Sequence, residues 1–225
     1  MTELSRPLIV VNFKVYREVE GVRALDIARM CEDVSRSSGI MIAVCPPLTE
    51  LGYVARNVGI PVFAQNADPR APGASTGWMT PSMIKASGAV GTLVNHSEHR
   101  QTVDRIRETI ELCKGCDLTT IVCADTVNSA TEIAKFRPDM IAVEPPELIG
   151  GDVSVTDADP EIVRMTVSSV RSVDRNISVL CGAGVKNGND VRKAVELGAE
   201  GVLLASGVVR SASPKATLED LVRYL

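Results

Sequence analysis

The sequence predicts an α/β protein folded as a single (β/α)8 barrel, and three observations carry that prediction. Short apolar runs rich in β-branched residues alternate with longer stretches of helical period from one terminus to the other, the pattern of repeated strand-helix units. Eight such runs occur, more than an open doubly wound sheet usually holds and the number that closes a barrel. The runs show little period-two alternation, as expected of parallel strands buried on both faces.

In chain order the predicted strands are Leu8 to Phe13, Met41 to Cys45, Pro61 to Ala64, Gly91 to Val94, Thr119 to Cys123, Met140 to Val143, Ser178 to Leu180 and Gly201 to Leu204. Between them lie amphipathic segments, among them Val22 to Ser35, Arg105 to Cys113, Pro160 to Val173 and Asp190 to Leu197. Their apolar residues recur at spacings of three and four, which places them on one helical face. Asn187 supplies an N-cap for the last of these, and Gly198 a terminator. The alternative architecture, a doubly wound sheet, usually carries a Gly-x-Gly-x-x-Gly turn after its first strand. Here that turn reads Asn12-Phe13-Lys14-Val15, without a glycine.

At 225 residues, 45% hydrophobic and 23% charged, the chain is long enough for one large core, and one domain spanning residues 1–225 is expected. A net charge of -4 argues against nucleic acid or an anionic membrane as partner, so any anionic ligand must be held by local geometry. Met1 to Pro7 is polar, Leu8 to Val11 is too short for a signal-peptide core, and no run approaches a membrane span; a cytoplasmic location is expected. The six cysteines are then expected to stay reduced and buried. Cys113-Lys114-Gly115-Cys116 lacks the second ligand pair a zinc site needs, and it closes a helix-like run with Gly115 as C-cap.

In a barrel the residues just past each strand share one face, and active sites are built there. Those positions carry Asn12 and Lys14, Cys45-Pro46-Pro47, Gln65-Asn66, Asn95-His96-Ser97-Glu98, Glu144, Cys181-Gly182-Ala183-Gly184 and Ala205-Ser206-Gly207. The chain holds only two histidines, His96 and His99, so proton chemistry through imidazole at neutral pH must happen in this one segment. Taken singly, Lys14 reads equally as a surface charge, His96 as a core histidine and Glu144 as a salt-bridge partner. Their clustering at strand ends favours a site. The glycine-rich turns follow the last two strands, where barrels commonly bind phosphate through backbone N–H groups.

Asn12-Phe13-Lys14, Gly73-Ala74-Ser75-Thr76-Gly77, Asn95-His96-Ser97-Glu98, Glu144-Pro145-Pro146-Glu147-Leu148-Ile149-Gly150, Cys181-Gly182-Ala183-Gly184 and Leu204-Ala205-Ser206-Gly207, in this order, resemble triosephosphate isomerases, specifically the short archaeal branch. The resemblance spans essentially the whole chain. It implies a TIM barrel that interconverts dihydroxyacetone phosphate and D-glyceraldehyde 3-phosphate through an enediolate, without metal or organic cofactor. It implies Glu144 as the carboxylate base and His96 as a neutral electrophile, held neutral by a nearby helix N-terminus. Lys14 joins them as the fixed cation, and Asn12, Phe13 and Lys14 bind substrate. Glu98 would orient Lys14, and backbone groups of Ile149, Gly184, Ala205 and Ser206 would grip the phosphate.

By the same likeness, Pro145 to Asp152 is a lid, and Asn66 to Gly77 docks into a neighbouring subunit of a homodimer or homotetramer, with Thr76 close to the partner's Asn12. The lid departs from the family pattern: Gly151-Asp152 stands where Thr-Gly is usual. Two rival readings are disfavoured by the match in the first half of the chain and by the presence of Lys14, His96 and Glu144 together. Another phosphate-binding barrel enzyme would share the glycine-rich half without the pairing of His96 with Glu144, and a catalytically dead binding module would be expected to lack Lys14, His96 or Glu144.

Overall fold

The computed structural model describes residues 4–145, 159–182 and 184–225. Eight parallel strands are present: β1 (Leu8–Asn12), β2 (Met41–Cys45), β3 (Phe63–Ala64), β4 (Gly91–Val94), β5 (Thr119–Ala124), β6 (Met140–Val143), β7 (Ser178–Cys181) and β8 (Gly201–Leu204). They hydrogen-bond in the order β2-β1-β8-β7-β6-β5-β4-β3. A parallel bridge between Val44 and Val62, with the Val44 N–H donating to the Pro61 carbonyl at 3.1 Å, joins the two ends and closes the ring. The predicted barrel is therefore observed.

Each strand alternates between two apolar environments. Leu8, Val10, Ala43, Phe63, Leu93, Ile121, Met140, Ala142, Leu180 and Leu203 pack together inside the barrel. Ile9, Val11, Ile42, Val44, Val94, Val122, Ile141, Val179 and Val202 face outward onto the helices. This two-sided burial explains why the strands read as continuous apolar runs. It also aims the chemistry: continuing the inward series Leu8-Val10 and Met140-Ala142 by one step brings Asn12 and Glu144 to the top of the barrel interior, where both are buried.

The outer layer comprises α1 (Val22–Ser38), α2 (Leu51–Ala55), α3 (Pro81–Ser87), α4 (Val103–Gly115), α5 (Val127–Ala134), α6 (Pro160–Val173), α7 (Gly188–Glu196), α8 (Ser206–Val209) and α9 (Pro214–Leu221). The α7 start is fixed by a capping box in which the Asn187 side chain accepts from the Asn189 and Asp190 N–H groups. Helix α4 starts two residues before the predicted Arg105, because the Thr102 hydroxyl accepts the Arg105 N–H and caps it. Its other end also differs from expectation. Gly115 lies inside the helix, Cys116 is the C-cap, and the left-handed turn is made by Asp117 at φ 52°. Strand β3 is shorter than predicted because Pro61 has no N–H to give to a ladder. No helix among the described residues is long and apolar enough to cross a membrane.

Candidate active site

The strand ends bring Asn12, Lys14, His96 and Glu144 to one cavity, whose opposite wall is made by Gly182, Gly184 and Lys186 after β7 and Ala205, Ser206 and Gly207 after β8. Lys14 adopts a left-handed backbone at φ 50°, and its N–H donates to Asn12 Oδ1 at 3.0 Å. The Gln65 side chain ties this turn down by donating to the carbonyls of Lys14 (2.8 Å) and Cys45 (3.0 Å). From that perch Lys14 Nζ donates to Glu98 Oε1 at 2.7 Å. Lys14 lines the cavity, whereas Glu98 lies outside its lining.

Asn95, also left-handed at φ 60°, braces the next strand end. Its amide donates to the Cys123 carbonyl (2.9 Å), and its Oδ1 accepts the Gln101 N–H (2.9 Å). Beside it His96 is buried, whereas His99 is exposed. The Glu98 N–H donates to His96 Nδ1 at 3.2 Å, so Nδ1 must be the unprotonated nitrogen and Nε2 carries the hydrogen. Burial first, and then the Lys14 cation, push the imidazole pKa down to about 4, so the ring is neutral at physiological pH. The sequence likeness implied a helix N-terminus as the cause. Instead the donor belongs to the turn closed by the His99 N–H on the His96 carbonyl (2.8 Å), and α4 starts only at Val103.

His96 Nε2 faces Glu144 Oε1 across 3.5 Å. Burial pushes the Glu144 carboxyl up to about 7, against the opposing pull of the Cys123 thiol and of the Lys14 and Arg100 cations. Its Oε2 is buried with no hydrogen-bond partner among the described residues. A carboxylate so poorly solvated is a stronger base than one in water. Its backbone is held by the Glu144 N–H on the Ala124 carbonyl (2.8 Å). A close approach from the next strand end completes its setting: a Cβ on Gly182 would lie 2.5 Å from Glu144 Cγ, so only glycine leaves room for this carboxyl side chain.

The cavity thus gathers Asn12, Lys14, His96, Glu144, Gly184, Ala205 and Ser206. Phe13 is fully buried in the apolar layer outside the barrel and does not line the cavity. Thr76 is exposed and lines a separate surface depression with Trp78 and Arg105. Ile149 and residues 146–152 of the expected lid fall outside the described residues. Several contributors had not been singled out. The inward series through Ile121 pointed to Cys123; Gly182 stood in the glycine-rich turn after the seventh strand, but its packing against Glu144, like the placement of Tyr16 and Lys186, gave no local signal, because it depends on contacts between strands distant in sequence.

Chemically, a desolvated carboxylate beside a neutral N–H donor and an ammonium suits removal of a proton from a carbon next to a carbonyl. The base meets carbon, and the donors meet the oxygen on which charge develops.

The triosephosphate isomerase family model matches residues 7–225. Triosephosphate isomerase of Methanocaldococcus jannaschii is 46% identical over 218 residues, covering 97% of this chain and all of that one. The Methanothermus fervidus protein of the same name is 47% identical over 219 residues, covering 97% of this chain and 99% of its own. In fold, the crystal structure of triosephosphate isomerase from Bartonella henselae superposes with a TM-score of 0.77 at 21% identity, covering 97% of this chain and 99% of that one.

Proposed function

The chain belongs to the triosephosphate isomerase family and interconverts dihydroxyacetone phosphate and D-glyceraldehyde 3-phosphate in glycolysis; from that premise we infer that Glu144 is its base and His96 its electrophile. In this reading Glu144 takes a proton from C1 of dihydroxyacetone phosphate. The C–H electrons form the C1=C2 bond, and the carbonyl electrons move onto O2. The His96 Nε2–H donates to that oxygen, and Lys14 stabilises the negative charge. A proton passes from O1 to O2 by way of the imidazole, and the protonated Glu144 returns its proton to C2, giving the aldehyde. Asn12 orients the substrate. Gly184, Ala205 and Ser206, with Ile149, offer backbone donors to the phosphate.

The observation that carries the reading is the pairing of a buried carboxylate, one oxygen unpartnered, with an imidazole whose Nδ1 is already occupied as an acceptor. The test is a coupled assay of wild type and Glu144→Gln. Fast wild-type turnover and a loss of at least about a thousandfold in the variant are expected, since acid-base catalysis is worth about that much. A variant that keeps a tenth of wild-type kcat would remove Glu144 from the role.

The lid reading for Pro145 to Asp152 rests on the motif alone. We expect Gly151-Asp152 to alter closure, so installing threonine and glycine at those positions should change the steady-state constants; unchanged constants would refute it. A homodimer or homotetramer, with Thr76 reaching the partner's Asn12, is supported by the exposure of Thr76 and of Val15, which is 81% exposed beside Lys14. A sedimentation measurement giving a monomer at micromolar concentration would overturn it. A cytoplasmic setting fits a phosphorylated metabolite as substrate.

A further inference from the structure

We propose that Gln101 is a positioning residue for His96, joining the turn that carries the imidazole to the base of the loop Asn66 to Gly77. The proposal rests on the reading of His96 as the electrophile and deepens it. The turn runs from Asn95 to Gln101, and its ends are tied by the Gln101 N–H, which donates to Asn95 Oδ1 at 2.9 Å. Asn95 is itself held to the next strand by its amide on the Cys123 carbonyl. The Glu98 N–H, which sets the His96 tautomer, lies inside this closed turn.

The Gln101 side chain leaves the turn and reaches the end of β3. Its Nε2 donates to Asn66 Oδ1 at 2.8 Å and to the Ala67 carbonyl at 3.3 Å, and both acceptor residues are buried. One residue earlier, the Gln65 amide donates to the carbonyls of Lys14 and Cys45. Residues 65–67 therefore form a strut between the turn of the ammonium and the turn of the imidazole, with a glutamine amide at each end. Lys14 and His96 serve the same developing oxyanion in the proposed reaction, so the spacing of their turns bears on the rate. Gln101 lies outside the cavity lining and acts through His96.

The loop itself has other supports. The Asp68 N–H donates to the Met79 carbonyl (2.8 Å), and Asp68 Oδ2 accepts the Met79 N–H (2.9 Å). The Arg105 guanidinium donates to Asp68 Oδ1 (3.2 Å) and lies over the Trp78 ring. These contacts close the base of the loop without Gln101, so removing its amide loosens the imidazole turn and leaves the loop folded.

The test uses the full-length enzyme. Gln101→Met keeps the length of the side chain and removes both donors. Its kcat should fall about tenfold in both directions, part of the roughly hundredfold that a displacement of about 1 Å costs, with KM changed by less than about twofold. Asn66→Ala, which removes an acceptor, should lose a similar factor, and the double variant should lose no more than Gln101→Met alone. Nitrogen NMR of the histidine rings gives a readout that needs no turnover. The two ring nitrogens of His96 resonate far apart while one tautomer is fixed, and in Gln101→Met they should draw together as the tautomers exchange. Wild-type kcat in Gln101→Met, a loss carried by KM, losses that multiply in the double variant, or an unchanged His96 spectrum would each overturn the proposal. A wild type without turnover whose ring resonances still draw together in Gln101→Met would instead fault the isomerase reading and leave the positioning role standing.

Discussion

Replacing Gly182 by alanine isolates the packing that holds Glu144, the proposed base. The added methyl would sit 2.5 Å from Glu144 Cγ and 3.1 Å from the Val143 carbonyl, whereas ordinary contacts start near 3.4 Å. Relief on the side-chain side requires Glu144 to retreat by about 0.9 Å, since the backbone side is itself tight and is pinned by the Gly182 N–H on the Val143 carbonyl (2.9 Å). A displacement of roughly 1 Å at a reacting group costs on the order of a hundredfold in rate. Overpacking a buried site costs about 1–3 kcal/mol in stability. Steady-state rates in both directions should therefore show kcat down about a hundredfold with KM changed by less than about threefold. The thermal midpoint should fall by several degrees, at roughly 2–4 °C per kcal/mol for a chain of this size. Wild-type kcat in Gly182→Ala would refute the argument that this glycine makes room for the carboxylate.

The pH dependence follows from the same residue. With Glu144 as the proposed base, needed ionised in the free enzyme, kcat/KM should rise with pH through about 7 and then level off; His96, at about 4, adds no inflection above pH 5.5. A profile already flat at pH 6 would show that burial does not raise this carboxyl. Stability carries the opposite sign. The folded state retains the Glu144 proton between the ordinary carboxyl value of 4.5 and about 7, so raising pH through that window costs on the order of 3 kcal/mol from this group alone. His96, depressed from 6.5 to about 4, gains stability as pH rises over much of the same range. Glu144→Gln removes only the first contribution, so its advantage in thermal midpoint over wild type should grow from pH 5 to 7 and stay constant above, as differential scanning calorimetry would read. Asn187→Ala breaks the α7 capping box and should cost about 1 kcal/mol in chemical denaturation; a change below about 0.3 kcal/mol would show the cap to be redundant.

Much of the barrel was legible because burial on both faces leaves a chemical trace. Strands β2, β4, β6 and β8 run from Met41, Gly91, Met140 and Gly201 as read from the sequence, each an apolar run broken at most by the buried Thr92 of β4. Misplaced boundaries were set by groups that hydrophobicity does not register: the Thr102 hydroxyl at the α4 start, the left-handed Asp117 after its end, the missing N–H of Pro61 before β3. In the site, Lys14, His96 and Glu144 were visible as ionisable residues at strand ends, and the structure brings them together. The tautomer of His96 was not, because it depends on one turn amide 3.2 Å away. Nor was the role of Gly182, whose constraint comes from a side chain 38 positions earlier in the chain.

The left-handed backbone at Lys14 bears on how this sequence can change over time. Holding a lysine at φ 50° costs on the order of 1 kcal/mol relative to glycine, and asparagine at the same position would cost less. Selection for stability alone would carry position 14 towards one of those two residues, as Asn95 at φ 60° already illustrates at the neighbouring site. A long cationic side chain persists there only while something rewards its charge. Among descendants of this gene freed from their reaction, position 14 should therefore be among the first to lose its side chain, with a gain rather than a loss in folding free energy. An unusually stable relative with glycine or asparagine there would be read as one that has left catalysis behind.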